Sequence, residues 1–129
     1  MHTVQERFRS RLQINPFVFL CVDSIETRQR IWNNIKDRVE FFCDARMSAE
    51  VLRILTVCES PTYNYYPTTL FPQAQAYAGS CTAKTTIYCA NIAAGFMLAQ
   101  FTKHLRHLPV DADIQMNLLS MELSVELKK

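Results

Sequence analysis

The sequence predicts an α/β fold, and three observations carry that prediction. An unbroken apolar run at 17–22 ends in Asp23, as a buried strand that stops at a polar rim would. An amphipathic helical stretch at 24–37 separates that run from two further strand-like runs, at 39–43 and 50–57. A long helical segment at 82–105, followed by short strand-like segments, completes the order strand, helix, strand, strand, connection, helix, strand. With 129 residues the chain has the size of about one domain.

Residues 4–12, within an N-terminal segment 1–14, are predicted to form a short helix, with Phe8 and Leu12 on one face and arginines on the other. Asn15-Pro16 breaks it. The run 17–22 is predicted to be an interior strand, apolar on both faces. The helix 24–37 places Ile25, Ile31, Trp32 and Ile35 toward a sheet. Glu26 lies in its first turn, with Lys36 and Arg38 near its end, as the helix dipole favours. Residues 58–80 read as one long irregular connection, with Pro61, Pro67, Pro72, Gly79 and four tyrosines. The helix 82–105 carries Ala90, Ala93, Ala94 and Gly95, small enough for close packing. Strands at 114–119 and 122–125 end the pattern.

Composition excludes several classes. The apolar fraction of 49% allows a packed core and argues against disorder. A net charge of +2 is too small to argue for nucleic acid. The apolar runs fall short of the ~20 residues of a membrane span. The charged start, with Glu6, Arg7, Arg9 and Arg11, lacks a signal core, so a cytoplasmic location is the default expectation. The five cysteines (Cys21, Cys43, Cys58, Cys81 and Cys89) form no C-x-x-C pair. Buried thiols in a reducing compartment are expected, with Cys21, Cys43 and Cys89 in the core. With only two glycines, no phosphate-cradling glycine motif can be written.

Ligands of open α/β sheets bind beyond the carboxyl ends of the strands. Asp23 sits there, as a metal or ligand carboxylate or as the cap of the next helix, a role that Ser24 fills equally well. Arg28 and Arg46 are candidates for phosphate or carboxylate contacts through their bidentate forks. For Arg28 the alternative is a solvated helix face or an ion pair with Glu26 or Asp23. His104 and His107 have metal-compatible spacing, but a helix end equally favours their cationic form. Tyr63, Tyr65, Tyr66 and Tyr77 either line a groove for an extended peptide or pack their loop on the sheet.

Several segments together resemble the ThiF/MoeB/HesA family, the ubiquitin-activating-enzyme-like adenylyltransferases. Val22-Asp23-Ser24 with Arg28 resembles that family's D-[NS]-x-x-x-R element. Asp44-Ala45-Arg46-Met47, leading into 50–57, resembles its next strand, turn and strand. Leu70-Phe71-Pro72 resembles the segment before its crossover loop. Ser80-Cys81-Thr82-Ala83-Lys84, with Ile92-Ala93-Ala94-Gly95 and Gln100 beyond, resembles its cysteine loop and long helix. The match covers about residues 15–126 and the carboxyl-terminal half of that domain only. The family's glycine-rich loop, ATP-contacting arginines and lysine precede the matched part, and this chain has no counterpart of them. Tyr66 and Thr69 stand where the first zinc cysteine pair of many members falls, so no structural zinc is expected.

The resemblance implies a partial Rossmann-like, ThiF-type sheet with flanking helices and terminal antiparallel strands. It implies ATP and Mg²⁺ as cofactors, used only with a nucleotide-binding half. Asp23 would hold the metal, Arg28 and Arg46 would lie at the nucleotide, and Cys81 is the candidate catalytic thiol. The implied partners are a ubiquitin-like or sulfur-carrier protein, and a second copy of the chain or a nucleotide-binding half. The other class of reading is a non-catalytic interaction module that keeps the fold without nucleotide binding.

Overall fold

The computed structural model describes residues 1–71 and 84–126. Its order is β1 (Phe17–Leu20), α1 (Ile25–Ile35), β2 (Phe41–Ser48), β3 (Val51–Val57), α2 (Ser60–Tyr65), a 3-10 turn (Tyr66–Thr69), α3 (Ile87–Leu105), β4 (Asp113–Asn117) and β5 (Glu122–Glu126). The strands form one mixed sheet in the order β1-β2-β3-β4-β5. Only β1 and β2 are parallel, joined through α1. The remaining neighbours are antiparallel. The fold class is therefore α/β, as the sequence predicts.

Strand alternation divides the core between two faces. On one face Leu20, Phe42, Leu55 and Val57 pack with Ile31, Trp32 and Ile35 of α1 and with Tyr66. On the other, Phe41, Cys43, Ala45, Leu52, Ile54 and Ile114 pack with Cys89, Ala93 and Met97 of α3. Strands β2 and β3 are thus the ones buried on both faces.

This corrects the reading of 17–22 as an interior strand. Strand β1 is an edge strand, and Phe19 is 40% exposed. Its residues are apolar on both sides because both sheet faces carry helices there. Val18 and Leu20 lie in the α1 cluster, while Phe17 and Phe19 meet Phe101 of α3 with ring centroids 5.4 Å apart in each case. An apolar run reports what lies above and below a strand and says nothing about what lies beside it.

Three other expectations change. Residues 4–12 form no helix; a single turn closes at Leu12, whose N–H donates to the Arg9 carbonyl. So short a segment with one narrow apolar stripe lacks the packing that sustains a helix. The part of the connection from 60 to 69 is helical, with a proline in its first turn and the Thr62 hydroxyl accepting from the Glu59 N–H. Helix α3 begins at Ile87, where the Thr86 hydroxyl accepts from the Cys89 N–H. Its far end is a Schellman motif: Leu108 N–H donates to the Lys103 carbonyl, His107 N–H to the His104 carbonyl, and His107 takes a φ of 55°. His107 is thus a backbone cap. His104 lies against the Phe41 ring and 3.6 Å from Glu40.

Candidate functional site

The site at the carboxyl end of β1 is built by the β1–α1 connection. Ser24 caps α1: its Oγ accepts from the Thr27 N–H at 3.1 Å and bonds Thr27 Oγ1 at 2.7 Å. The choice between Asp23 and Ser24 as cap therefore falls to Ser24. Asp23, one residue earlier, is exposed. Among the described residues its carboxylate has no hydrogen bond or ion pair.

Arg28 sits one turn into α1 and is only 4% exposed. Its Nε donates to Asp44 Oδ1 at 2.9 Å, and its Nη2 donates to the carbonyls of Ala45 and Val22. One guanidinium therefore fastens the connection that carries Asp23 to the middle of β2. Its ion-pair partner is Asp44, not Glu26 or Asp23.

Arg46 lies two residues beyond Asp44 on the same face. Its Nε donates to Asp44 Oδ2 at 2.8 Å, and its two terminal nitrogens donate to the carbonyl and hydroxyl of Thr69 at 2.9 Å each. The Tyr66 hydroxyl donates to the same Asp44 oxygen at 3.0 Å. Asp44, fully buried, thus accepts from three donors. Burial first, and then the charge of Asp44, push the Tyr66 hydroxyl far above the ordinary tyrosine range. The Tyr66 hydroxyl stays a donor at any physiological pH.

A second cluster lies in register with the first. Asp44, Leu55 and Asp113 face one another across β2, β3 and β4, and Arg46 faces Arg53 in the next row. Like charges opposite each other on adjacent strands repel. Here each arginine has its own aspartate: Arg53 grips Asp113 with two bonds, at 3.0 and 2.6 Å. Tyr65 donates to Asp113 at 2.7 Å, so consecutive tyrosines reach the two buried aspartates on either side of Leu55. Burial alone would raise the Asp113 carboxyl. The bonds from Arg53 and Tyr65 outweigh it and hold the carboxyl below its usual range. Tyr65 is pushed up to about 12, by burial and then by its bond to Asp113.

No protein-family model and no curated protein sequence matches the chain.

The predicted site residues therefore separate into kinds. Asp23 is open, while the Arg28 and Arg46 bonds all run to groups inside the fold. Cys81 and Tyr77 lie outside the described residues, and α3 begins six residues after Cys81. Cys43 and Cys89 are buried, as expected of core thiols, and burial pushes the Cys43 thiol up to about 12. Cys21 is exposed, because β1 ends at Leu20 and leaves it in the connection. Tyr63 bonds the Val39 carbonyl at 2.6 Å and packs on Trp32, so the described tyrosines fasten their segment to the body of the domain.

Sequence reasoning missed Asp44, Arg53, Asp113 and Thr69. The alternation Asp44-x-Arg46 continues the strand period beyond Phe42, and it was the one available signal. Asp113 and Thr69 gave none, because their partners lie 60 and 23 residues away.

A carboxylate at a strand end, without a partner among the described residues, is a hard oxygen donor. Among the described residues no group of three or more His, Cys, Asp or Glu side chains is arranged for a metal. Asp23 alone fits Mg²⁺ only in company with phosphate oxygens, since that ion commonly takes one or two carboxylates plus phosphate and water.

Proposed function

We propose that this chain is the carboxyl-terminal half of a ThiF-like adenylyltransferase domain, one that activates the terminal carboxylate of a ubiquitin-like or sulfur-carrier protein. The observation that carries the reading is Asp23: an exposed carboxylate, without a hydrogen bond or ion pair among the described residues, at the carboxyl end of β1 and directly before the cap of α1. The order of the motifs at Asp23-Ser24, Arg28, 44–47 and 80–84 supports it.

In this reading a carboxylate oxygen of the carrier attacks the α-phosphorus of ATP, an acyl adenylate forms, and pyrophosphate leaves. Asp23 would hold Mg²⁺, which when bound neutralises charge on phosphate oxygens. Arg28 holds the Val22 carbonyl, and so the backbone that precedes Asp23, against β2. Arg28 and Arg46 thus act as positioning residues. A separate nucleotide-binding half supplies the phosphate cradle. The outer edge of β1, which no described strand covers, supports docking of that half by backbone pairing. By the resemblance, Cys81 would be the thiol that forms a covalent adduct with the carrier.

One observation favours a second reading, a non-catalytic interaction module. The Arg28 and Arg46 bonds to Asp44, Thr69 and main-chain carbonyls leave Asp23 as the one open group of the predicted nucleotide set. Calorimetric titration of Mg²⁺-ATP separates the readings when run on this chain and on a form extended upstream along its native reading frame. The adenylyltransferase reading expects binding by the extended form that weakens in Asp23→Ala. Binding by neither form leaves the interaction module.

A further inference from the structure

A groove of about 390 Å³ opens between α1 and the helical segment 60–70, and Asp23 does not line it. That volume falls in the range of ligand sites, about 300–1,000 Å³. Its apolar surface comes from Trp32, Tyr63, Pro67 and Leu70. This surface is rigid. The Trp32 ring packs on Phe42, Tyr63 and Tyr66 with centroids 5.1, 5.8 and 4.8 Å away, and the Tyr63 hydroxyl is tied to the Val39 carbonyl. Walls that are already ordered lose little freedom when a ligand binds.

Trp32 supplies the observation that points to a ligand. The residue is only 2% exposed, and a buried indole N–H normally has a partner. Among the described residues this one has none. No sealed polar side-chain atom among them lacks a partner, so the nitrogen is not sealed, and the groove is the opening that Trp32 lines. The carboxamides of Gln29, Asn33 and Asn64 stand around the same groove, also without partners among the described residues. Lys36 and Asp37 complete the rim and together add no net charge. The groove is therefore not built for a phosphate. Both of its walls are helical, so it offers no strand edge for pairing with a β-strand.

We propose that this groove binds a proline-rich segment of a partner protein in the polyproline II conformation. Such segments dock in grooves lined by aromatic rings. Their backbone makes no internal hydrogen bonds, so the carbonyls are free to accept, and proline has no N–H to satisfy in return. The Trp32 N–H and the carboxamides supply the donors, while proline rings pack on Tyr63, Pro67 and Leu70. The spacing also fits. Gln29, Asn33 and Lys36 lie at i, i+4 and i+7 on one stripe of α1 and span about 10 Å. One turn of polyproline II rises about 9 Å, so donors on that stripe reach carbonyls a full turn apart. The inference does not rest on the nucleotide reading, and its test contains no ATP.

Trp32 is the only tryptophan of the chain, so the ¹⁵N-labelled protein has a single indole N–H resonance to follow. The test is its titration with a blocked oligoproline peptide about three turns long, beside a blocked Gly-Ser peptide of equal length and adenosine. Oligoproline should move the indole resonance saturably below about 1 mM, and the other two should not. Asn33→Ala combined with Asn64→Ala should weaken binding about tenfold with unchanged melting, as loss of two hydrogen bonds does. Asn91→Ala, an exposed amide on α3 across the sheet, should bind as wild type. Should the double variant fail to fold, Gln29→Ala takes its place, with a severalfold loss expected. No shift at about 1 mM oligoproline overturns the proposal. So does equal binding of the Gly-Ser peptide or of adenosine, or binding that the groove variants leave unchanged.

Discussion

Arg28 of α1 and Asp44 of β2, sixteen residues apart, meet at 2.9 Å with both side chains buried. Their bond joins the connection that carries Asp23 to a strand buried on both faces. The two remaining Asp44 contacts, from Arg46 and Tyr66, bring in the segment after β3. One carboxylate thereby holds three separate pieces of chain.

Replacing Asp44 should therefore be severe. Asp44→Asn leaves two guanidinium groups in a buried place with no counter-charge, and loss of one partner of a buried pair costs about 3–5 kcal/mol. Urea unfolding should show that loss, with the effect of Arg46→Gln smaller because the Arg46 side chain is partly exposed.

The cap assignment makes a paired prediction. Ser24→Ala should cost about 1 kcal/mol of stability, as loss of an N-cap does. Asp23→Ala should stay within about 0.5 kcal/mol, as exposed substitutions away from such features do. Melting of both variants checks the pair, and the reverse ranking would return the capping role to Asp23.

Acid and base should act on the Asp113 cluster in opposite ways. The Asp113 carboxyl is held below its usual range, so its stabilisation is present above the unfolded value of about 3.9 and is lost as pH falls through the lowered folded value. Tyr65 is pushed up from 10.0 to about 12, so its stabilisation is complete below 10 and lost as pH rises through about 12. Asp113→Asn should flatten both limbs of a plot of urea midpoint against pH, and an unchanged acid limb would remove Asp113 from the account.

Among the described residues three turns hold non-glycine residues at positive φ: Ala49 at 52°, between β2 and β3, His107 at 55°, after α3, and Met121 at 55°, between β4 and β5. Left-handed backbone costs an L-residue about 1–2 kcal/mol, and glycine gives part of that back through a more flexible unfolded chain. Ala49→Gly and His107→Gly should each raise the melting temperature modestly, and a fall in either would mean that the lost side chain mattered more than the backbone.

Local signals made much of the fold legible. Ile31, Trp32 and Ile35 on one face gave α1, the nearly continuous apolar run at 51–57 gave β3, and β4 and β5 follow apolar alternation closely. The end of β2 was hidden because Asp44 and Arg46 look like turn residues. They stay in a strand only because Arg28, Tyr66 and Thr69 come from elsewhere to satisfy them. The edge position of β1 was hidden because helices on both faces make its composition that of an interior strand. At the site, the strand-end rule led to Asp23. Chemistry alone assigned Arg28 and Arg46 to an outside anion, because a guanidinium fits an internal aspartate as well as a phosphate.

The most direct test of the account is ATP–pyrophosphate exchange in the presence of Mg²⁺ and a carrier protein, measured on this chain, on the upstream-extended form, and on that form with Asp23→Ala. The account predicts no exchange by the chain alone, exchange by the extended form, and a loss of about 10²-fold or more in Asp23→Ala with unchanged melting, the size seen when an electrostatic stabiliser is removed. Exchange by the chain alone, or near-normal exchange by Asp23→Ala, would contradict it.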